Sequence, residues 1–221
     1  GMGLELNTLF MIAHALSWFL GLPLDGYSDL YQAAVCLGSM MYGFIGLVMT
    51  YYLCREYVDS LVAVVAVVVI WLSSNVIYYM VVEPSMSHMA SLGVVASLLA
   101  WWRLHRDQTS SVYWIVLGVL GGLATLIRPQ DVLILALPAT QWVLELQPSW
   151  RRRRTAVHIG HGVLFGLSWF LVFCVQLWAW WTVYGSIRES GYLYGGQQSF
   201  HWLRPKVLQV LFSLYHGLFV W

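Results

Sequence analysis

Long uninterrupted apolar runs constrain this chain more than any other feature. Leu30 to Cys54, Leu61 to Val82, Pro84 to Trp102 and Val157 to Val183 each hold about as many apolar residues as a membrane-crossing helix needs. A hydrocarbon core of about 30 Å takes roughly 20 helical residues to cross. Backbone N–H and C=O groups cannot stay unpaired there, so runs of this length must be helices. The remainder of the chain agrees: 60% of its 221 residues are hydrophobic and only 10% are charged, against about 25% charged in a soluble domain. The expected fold is an all-α, polytopic membrane helical bundle.

Between the third and fourth runs lies Val112 to Gln147, interrupted only by Arg128, Pro129, Gln130 and Asp131. Pro129 has no N–H to donate, so two shorter helices over 112–127 and 131–147, joined by a tight polar turn, are expected. Thr8 to Leu22 is apolar but only about three-quarters of a spanning length, which suits an interfacial or re-entrant segment. The expected organisation is therefore a transmembrane region over 1–183, with spans near 30–54, 61–82, 84–102, 112–127, 131–147 and 157–183. It is followed over 184–221 by an aromatic-rich outer loop and the start of a further apolar helix. The chain begins with Gly1 and ends at Trp221 inside an apolar run, so it reads as a piece of a longer protein.

Sidedness follows from arginine. Arg55, then Arg103 and Arg106, then Arg151 to Arg154 occupy alternate loops, while the intervening short loops hold only Arg128. Cytoplasmic loops carry the excess of Lys and Arg. The loops around Asp25–Asp29, Glu83–His88 and Arg128–Asp131, with the segment from Tyr184 onward, are then expected outside. This placement makes a multi-pass protein of the cytoplasmic (inner) membrane with an extracytoplasmic active face. A net charge of +1 gives no reason to expect nucleic acid as a partner. Cys36, Cys54 and Cys174 lie in apolar stretches without paired or metal-site spacing, and are read as packing thiols.

The outer loops hold the chemistry. Asp25 and Asp29 lie four apart around Tyr27, and two readings compete: capping of the next helix by Ser28 or Asp29, or ligand contact by Asp25 and Tyr27. Glu83 and His88 sit five apart across a helix start. The helix dipole gives the bland reading of the carboxylate; a general-base pair or two ligands for a divalent ion, with Glu83 the metal candidate, is the functional one. Arg128 at the bilayer edge needs an acid or an anionic ligand. Asp131 would satisfy it in a structural salt bridge, or both would contact a phosphate or carboxylate of a substrate. Gly118, Gly121 and Gly122 are read as helix-packing glycines, and His14 and His161 as core histidines with hydrogen-bonded partners. The segment beyond Trp178, with His201, Trp202, Arg204 and Lys206, is either an interfacial aromatic belt or a surface for a sugar ring or lipid headgroup.

Three motifs together resemble bacterial GT-C-type glycosyltransferases, relatives of the protein mannosyltransferases and of the enzymes that add aminoarabinose to lipid A. They are Glu83-Pro84-Ser85-Met86-Ser87-His88, the run Gly121-Gly122-Leu123-Ala124-Thr125-Leu126-Ile127-Arg128-Pro129-Gln130-Asp131, and Ser213-Leu214-Tyr215-His216-Gly217-Leu218. The resemblance implies an inverting transferase with a polyprenyl-phosphate sugar as donor, a lipid, glycan or protein acceptor, and work on the outer face. It implies that Glu83, beside His88, is the outer acid that supports the site or a divalent cation such as Mg²⁺ or Mn²⁺. Arg128 would hold the donor phosphate, with Arg204 and Lys206 as weaker candidates for that task. The family's first outer loop carries an essential aspartate, often in an acidic pair; this sequence has no two adjacent acids, so that loop is expected upstream of Gly1. Thr8 to Leu22 would be the short juxtamembrane helix after it. A flippase for polyprenyl-linked sugars and a non-catalytic scaffold subunit are the alternatives. The first would need discontinuous helices repeated in two halves, and no internal repeat is visible.

Overall fold

The computed structural model describes residues 8–105, 110–145, 152–187 and 207–212, and every regular element among them is helical. They are α1 (Thr8–Leu20), α2 (Asp29–Cys54), α3 (Ser60–Ser73), α4 (Asn75–Ile77), a π-helical turn (Tyr78–Val82), α5 (His88–Leu104), α6 (Ser111–Ile127), a 3₁₀ helix (Pro129–Leu135), α7 (Ala136–Glu145), α8 (Arg152–Tyr184) and α9 (Val207–Phe212). The chain forms two compact units, residues 1–176 and 177–221. The second holds the end of α8 and α9. Most of the expected outer loop, with His201, Arg204 and Lys206, lies outside the described residues.

Among the described residues two helices are long and apolar enough to cross a membrane: Asp29–Cys54 and Ala156–Tyr184. The run from 61 to 82, expected as one helix, is two pieces bent by 69°. The cause is the polar triplet Ser73-Ser74-Asn75. Ser74 takes an extended backbone (ψ 173°), which would orphan carbonyls at the end of α3. Ser73 Oγ donates to the Val69 carbonyl at 2.7 Å and Ser74 Oγ to that of Ile70 at 2.6 Å, so the hydroxyls take over part of the lost backbone bonding. Ser74 Oγ also caps α4 by accepting from Val76 N at 3.4 Å.

The third run also differs from its expectation. Pro84 to Ser87 form a turn and the helix starts only at His88, leaving 17 residues in α5. After Arg128 the chain runs as a 3₁₀ helix to Leu135, and α7 has only ten residues.

Glycine sets the helix spacing. A Cβ on Gly93 of α5 would lie 2.6 Å from the Tyr42 carbonyl oxygen of α2, and one on Gly46 2.8 Å from Leu92 Cγ. On α6, Gly118 lies against the Phe165 backbone of α8, and a Cβ on Gly122 would meet Val172 Cβ at 2.6 Å. The glycines of α6 are thus packing devices, as their spacing suggests. Leu98, Tyr113, Trp114 and Leu117 form the core between α5 and α6, with Trp142 and Phe165 packed against it.

The two histidines expected in the core part company. His161 is buried and stacks on Trp114. His14 is exposed on α1, although its Nδ1 does have a partner, the Tyr31 hydroxyl at 2.8 Å.

One end of the bundle holds Arg55, just after α2, and Arg103. Arg103, at the end of α5, pairs with Glu56 after α2 at 3.3 Å. Trp102 Nε1 donates to Gln141 Oε1 at 2.6 Å. The opposite ends of α5 and α6 carry His88 and Arg128.

Candidate functional site

The antiparallel α5–α6 hairpin brings the second and third polar loops together. Arg128 Nη1 donates to His88 Nδ1 at 3.0 Å. A nitrogen that accepts from guanidinium carries no proton, so His88 is neutral with its hydrogen on Nε2. Arg128 Nε and Nη2 lie 3.1 and 3.0 Å from the Gln130 side chain, whose amide presents its oxygen to them. The guanidinium is therefore fixed through three nitrogens by two neutral partners. Among the described residues no carboxylate lies within ion-pair distance of it.

Asp131 is the acid from which such a pair was expected, and it turns elsewhere. Its Oδ2 accepts from Ser91 Oγ at 2.5 Å, and its backbone N–H donates to the Arg128 carbonyl at 2.9 Å. The 3₁₀ turn that begins at Pro129 aims the Asp131 carboxylate at α5, where Ser91 waits one turn after His88. The salt-bridge reading of Arg128 and Asp131 is thereby replaced by two separate contacts to α5.

The π-helical turn supplies the other wall. Tyr79 stacks on the His88 ring with centroids 4.1 Å apart and planes at 28°. The Glu83 N–H donates to the Tyr78 carbonyl at 3.0 Å, and the Glu83 carboxylate lies close enough to the Tyr78 side chain to act on it electrostatically. Glu83 is close enough to His88 to act on it electrostatically. Glu83, His88, Arg128 and Asp131 are all half-buried. Among the described residues no three His, Cys, Asp or Glu side chains converge on one point. Glu83 is a lone carboxylate and His88 Nδ1 is occupied by Arg128, so they do not by themselves build a site for Mg²⁺ or Mn²⁺.

The first loop is held by bonds of its own. Asp25 Oδ1 accepts from the N–H groups of Tyr27 and Ser28 at 2.8 and 2.9 Å, a tight turn that Gly26 permits with φ +74°. Ser28 occupies the cap position of α2 without a side-chain cap bond, so Asp25 holds the local structure that Ser28 or Asp29 was expected to hold. The Tyr27 and then the Ser28 N–H keep its carboxyl below the ordinary carboxylate range. A depressed value means the turn favours the ionised acid, so its contribution is complete at neutral pH and is lost as pH falls through the folded value. Amide exchange of Tyr27 and Ser28 is expected to quicken below about pH 4 while that of α2 stays slow.

Ser91, Gln130 and the pair Tyr78–Tyr79 escaped the sequence reading. Ser91 carried a signal, since it lies three residues after His88 and so shares its helix face. The tyrosines carried none, because their reach depends on the bend at Ser74.

No curated protein and no solved structure matches the chain. A sequence profile of the family described as dolichyl-phosphate-mannose-protein mannosyltransferase matches residues 13–181, well over half of the chain. That stretch holds every residue of the cluster just described. The chain therefore belongs to the dolichyl-phosphate-mannose-protein mannosyltransferase family, membrane glycosyltransferases of GT-C type that draw on a polyprenyl-phosphate sugar.

Proposed function

We propose that the protein transfers a sugar, with inversion, from a polyprenyl-phosphate donor to an acceptor hydroxyl at the outer face of the cytoplasmic membrane. In this reading Arg128 binds the donor phosphate and Glu83, with His88 beside it, handles the acceptor proton. The observation that carries it is the guanidinium of Arg128, held at the head of the α5–α6 hairpin by neutral groups alone. A half-buried cation without a carboxylate is costly to keep, and a phosphate oxygen pair matches guanidinium bidentately.

The acceptor oxygen attacks the anomeric carbon as the bond from that carbon to the phosphate oxygen breaks. The electron pair leaves with the polyprenyl phosphate, whose charge Arg128 stabilises. The acceptor proton passes to a carboxylate. The stack of Tyr79 on His88 fixes the imidazole. The arginines at the other end of α2 and α5 support the outward orientation through the positive-inside bias.

The test is transfer from dolichyl-phosphate [³H]mannose by membranes carrying the full-length protein. Glu83→Gln keeps shape and hydrogen-bonding capacity but cannot take a proton. It is expected to lower turnover by about 10²-fold, the scale of one general-base contribution. Unchanged transfer in that variant would remove Glu83 from the mechanism. Cysteine labelling that found positions 83 and 152 in one compartment would remove the outward assignment.

A further inference from the structure

Two contacts tie the first turn of α5 to the chain just after α6, and they form a ladder of constant spacing. His88 meets Arg128, and Ser91 meets Asp131, each across 40 residues. His88 and Ser91 are three apart on one helix face, and Arg128 and Asp131 are three apart on the opposing turn. Asp131 is the acid nearest Arg128 along the chain, yet its carboxylate is drawn to α5 by a buried serine hydroxyl.

We infer that Ser91 is a positioning residue that holds the Asp131 carboxylate away from Arg128, leaving the guanidinium charge open for the donor's phosphate. The inference rests on the proposed phosphate-binding role of Arg128 and adds the means by which that role is protected. An aspartate three residues from an arginine competes with any other anion for it, because carboxylate and phosphate use the same fork of N–H donors. The Ser91 hydroxyl has one hydrogen to give, and it gives it to Oδ2 of Asp131. Removing the hydroxyl leaves a half-buried carboxylate short of a donor, and Arg128 is the neighbouring cation able to supply one. The protein would then divide between a self-paired and an open form, and only the open form would bind donor.

The experiment is equilibrium binding of dolichyl-phosphate [³H]mannose to the full-length, detergent-purified protein, with no acceptor present. Ser91→Ala is expected to raise Kd about tenfold, the result of nine-tenths of molecules being self-paired. Ser91→Thr keeps the hydroxyl and is expected to bind within about twofold of the unaltered protein on the same relation. In the double variant Ser91→Ala, Asp131→Asn the competing charge is gone, and Kd is expected to return to within about twofold of its original value. A purely structural serine would show no such recovery. Equal weakness in Ser91→Ala and the double variant overturns the inference, as does a Ser91→Ala Kd equal to that of the unaltered protein. Arg128→Ala is measured alongside: binding unaffected by that change overturns the phosphate reading itself. Weak binding in Arg128→Ala with normal binding in Ser91→Ala removes only the role of Ser91.

Discussion

Arg128→Ala is expected to abolish most sugar transfer, by about 10² to 10³-fold in kcat/KM, the scale on which a single preorganised electrostatic group acts in a transition state. The reason lies in how the guanidinium is held. Nη1 is engaged by His88 at 3.0 Å, and Nε and Nη2 face the Gln130 side chain at 3.1 and 3.0 Å. These bonds aim the group without cancelling its charge. A phosphate leaving with a full extra charge gains most from such a group, so the loss should fall on kcat as well as on KM. Arg128→Lys keeps the charge and loses the planar fork, and an intermediate loss, about tenfold, is expected. The measurement is initial-rate transfer in membranes, normalised to the amount of folded protein. Transfer within twofold of the unaltered protein in Arg128→Ala would leave the arginine a structural residue.

Gly93→Ala is expected to destabilise the fold by adding a methyl where two helix backbones meet. The new Cβ would lie 2.6 Å from the Tyr42 carbonyl oxygen and 3.2 Å from its carbon. Both are backbone atoms of α2, so no rotamer change relieves the clash and α5 must move as a body. Overpacking of this kind costs about 1–3 kcal/mol. Gly166→Ala on α8 is the internal control, because nothing lies within 4 Å of its added Cβ; it is expected to be neutral or stabilising by up to about 1 kcal/mol. Thermal unfolding in one detergent would compare the two. Equal midpoints would show that α2 and α5 are not packed through Gly93. Because α5 also carries His88 and Ser91, residual folded Gly93→Ala should bind donor less well than its stability alone predicts.

Periodicity and composition revealed those parts of the fold that depend on one segment at a time. The run from Leu30 to Cys54 has no charged residue and small residues along it, and it is one helix. The glycines of α6 read as packing residues because a missing side chain has a local meaning. The break at Ser74 was hidden inside an apolar run: three small polar residues are tolerated in many straight helices, and only their bonds to Val69 and Ile70 reveal the bend. Half of the site was visible for a similar reason. Glu83, His88 and Arg128 stand out as ionisable residues beside apolar runs. Their pairing was hidden, since it is set by the antiparallel register of α5 and α6 and by the 3₁₀ turn after Arg128. That register sends Asp131 to Ser91 and gives Arg128 to His88, an exchange of partners that spacing along one strand of sequence cannot disclose. His14 shows the opposite error: an apolar neighbourhood in sequence suggested burial, whereas His14 is exposed on α1 and meets the Tyr31 hydroxyl of α2.

The bend between α3 and α4 has a consequence for the lipid around it. With α3 upright, its 14 residues rise about 21 Å. The eight residues after the 69° turn add only about 4 Å more, because most of their length is spent sideways. The total is about 25 Å, short of a hydrocarbon layer of about 30 Å. In that orientation lipids against this flank would shorten or tilt to match, bringing headgroups and water toward Glu83. A charged carrier phosphate could then meet the protein below the mean level of the surrounding leaflet.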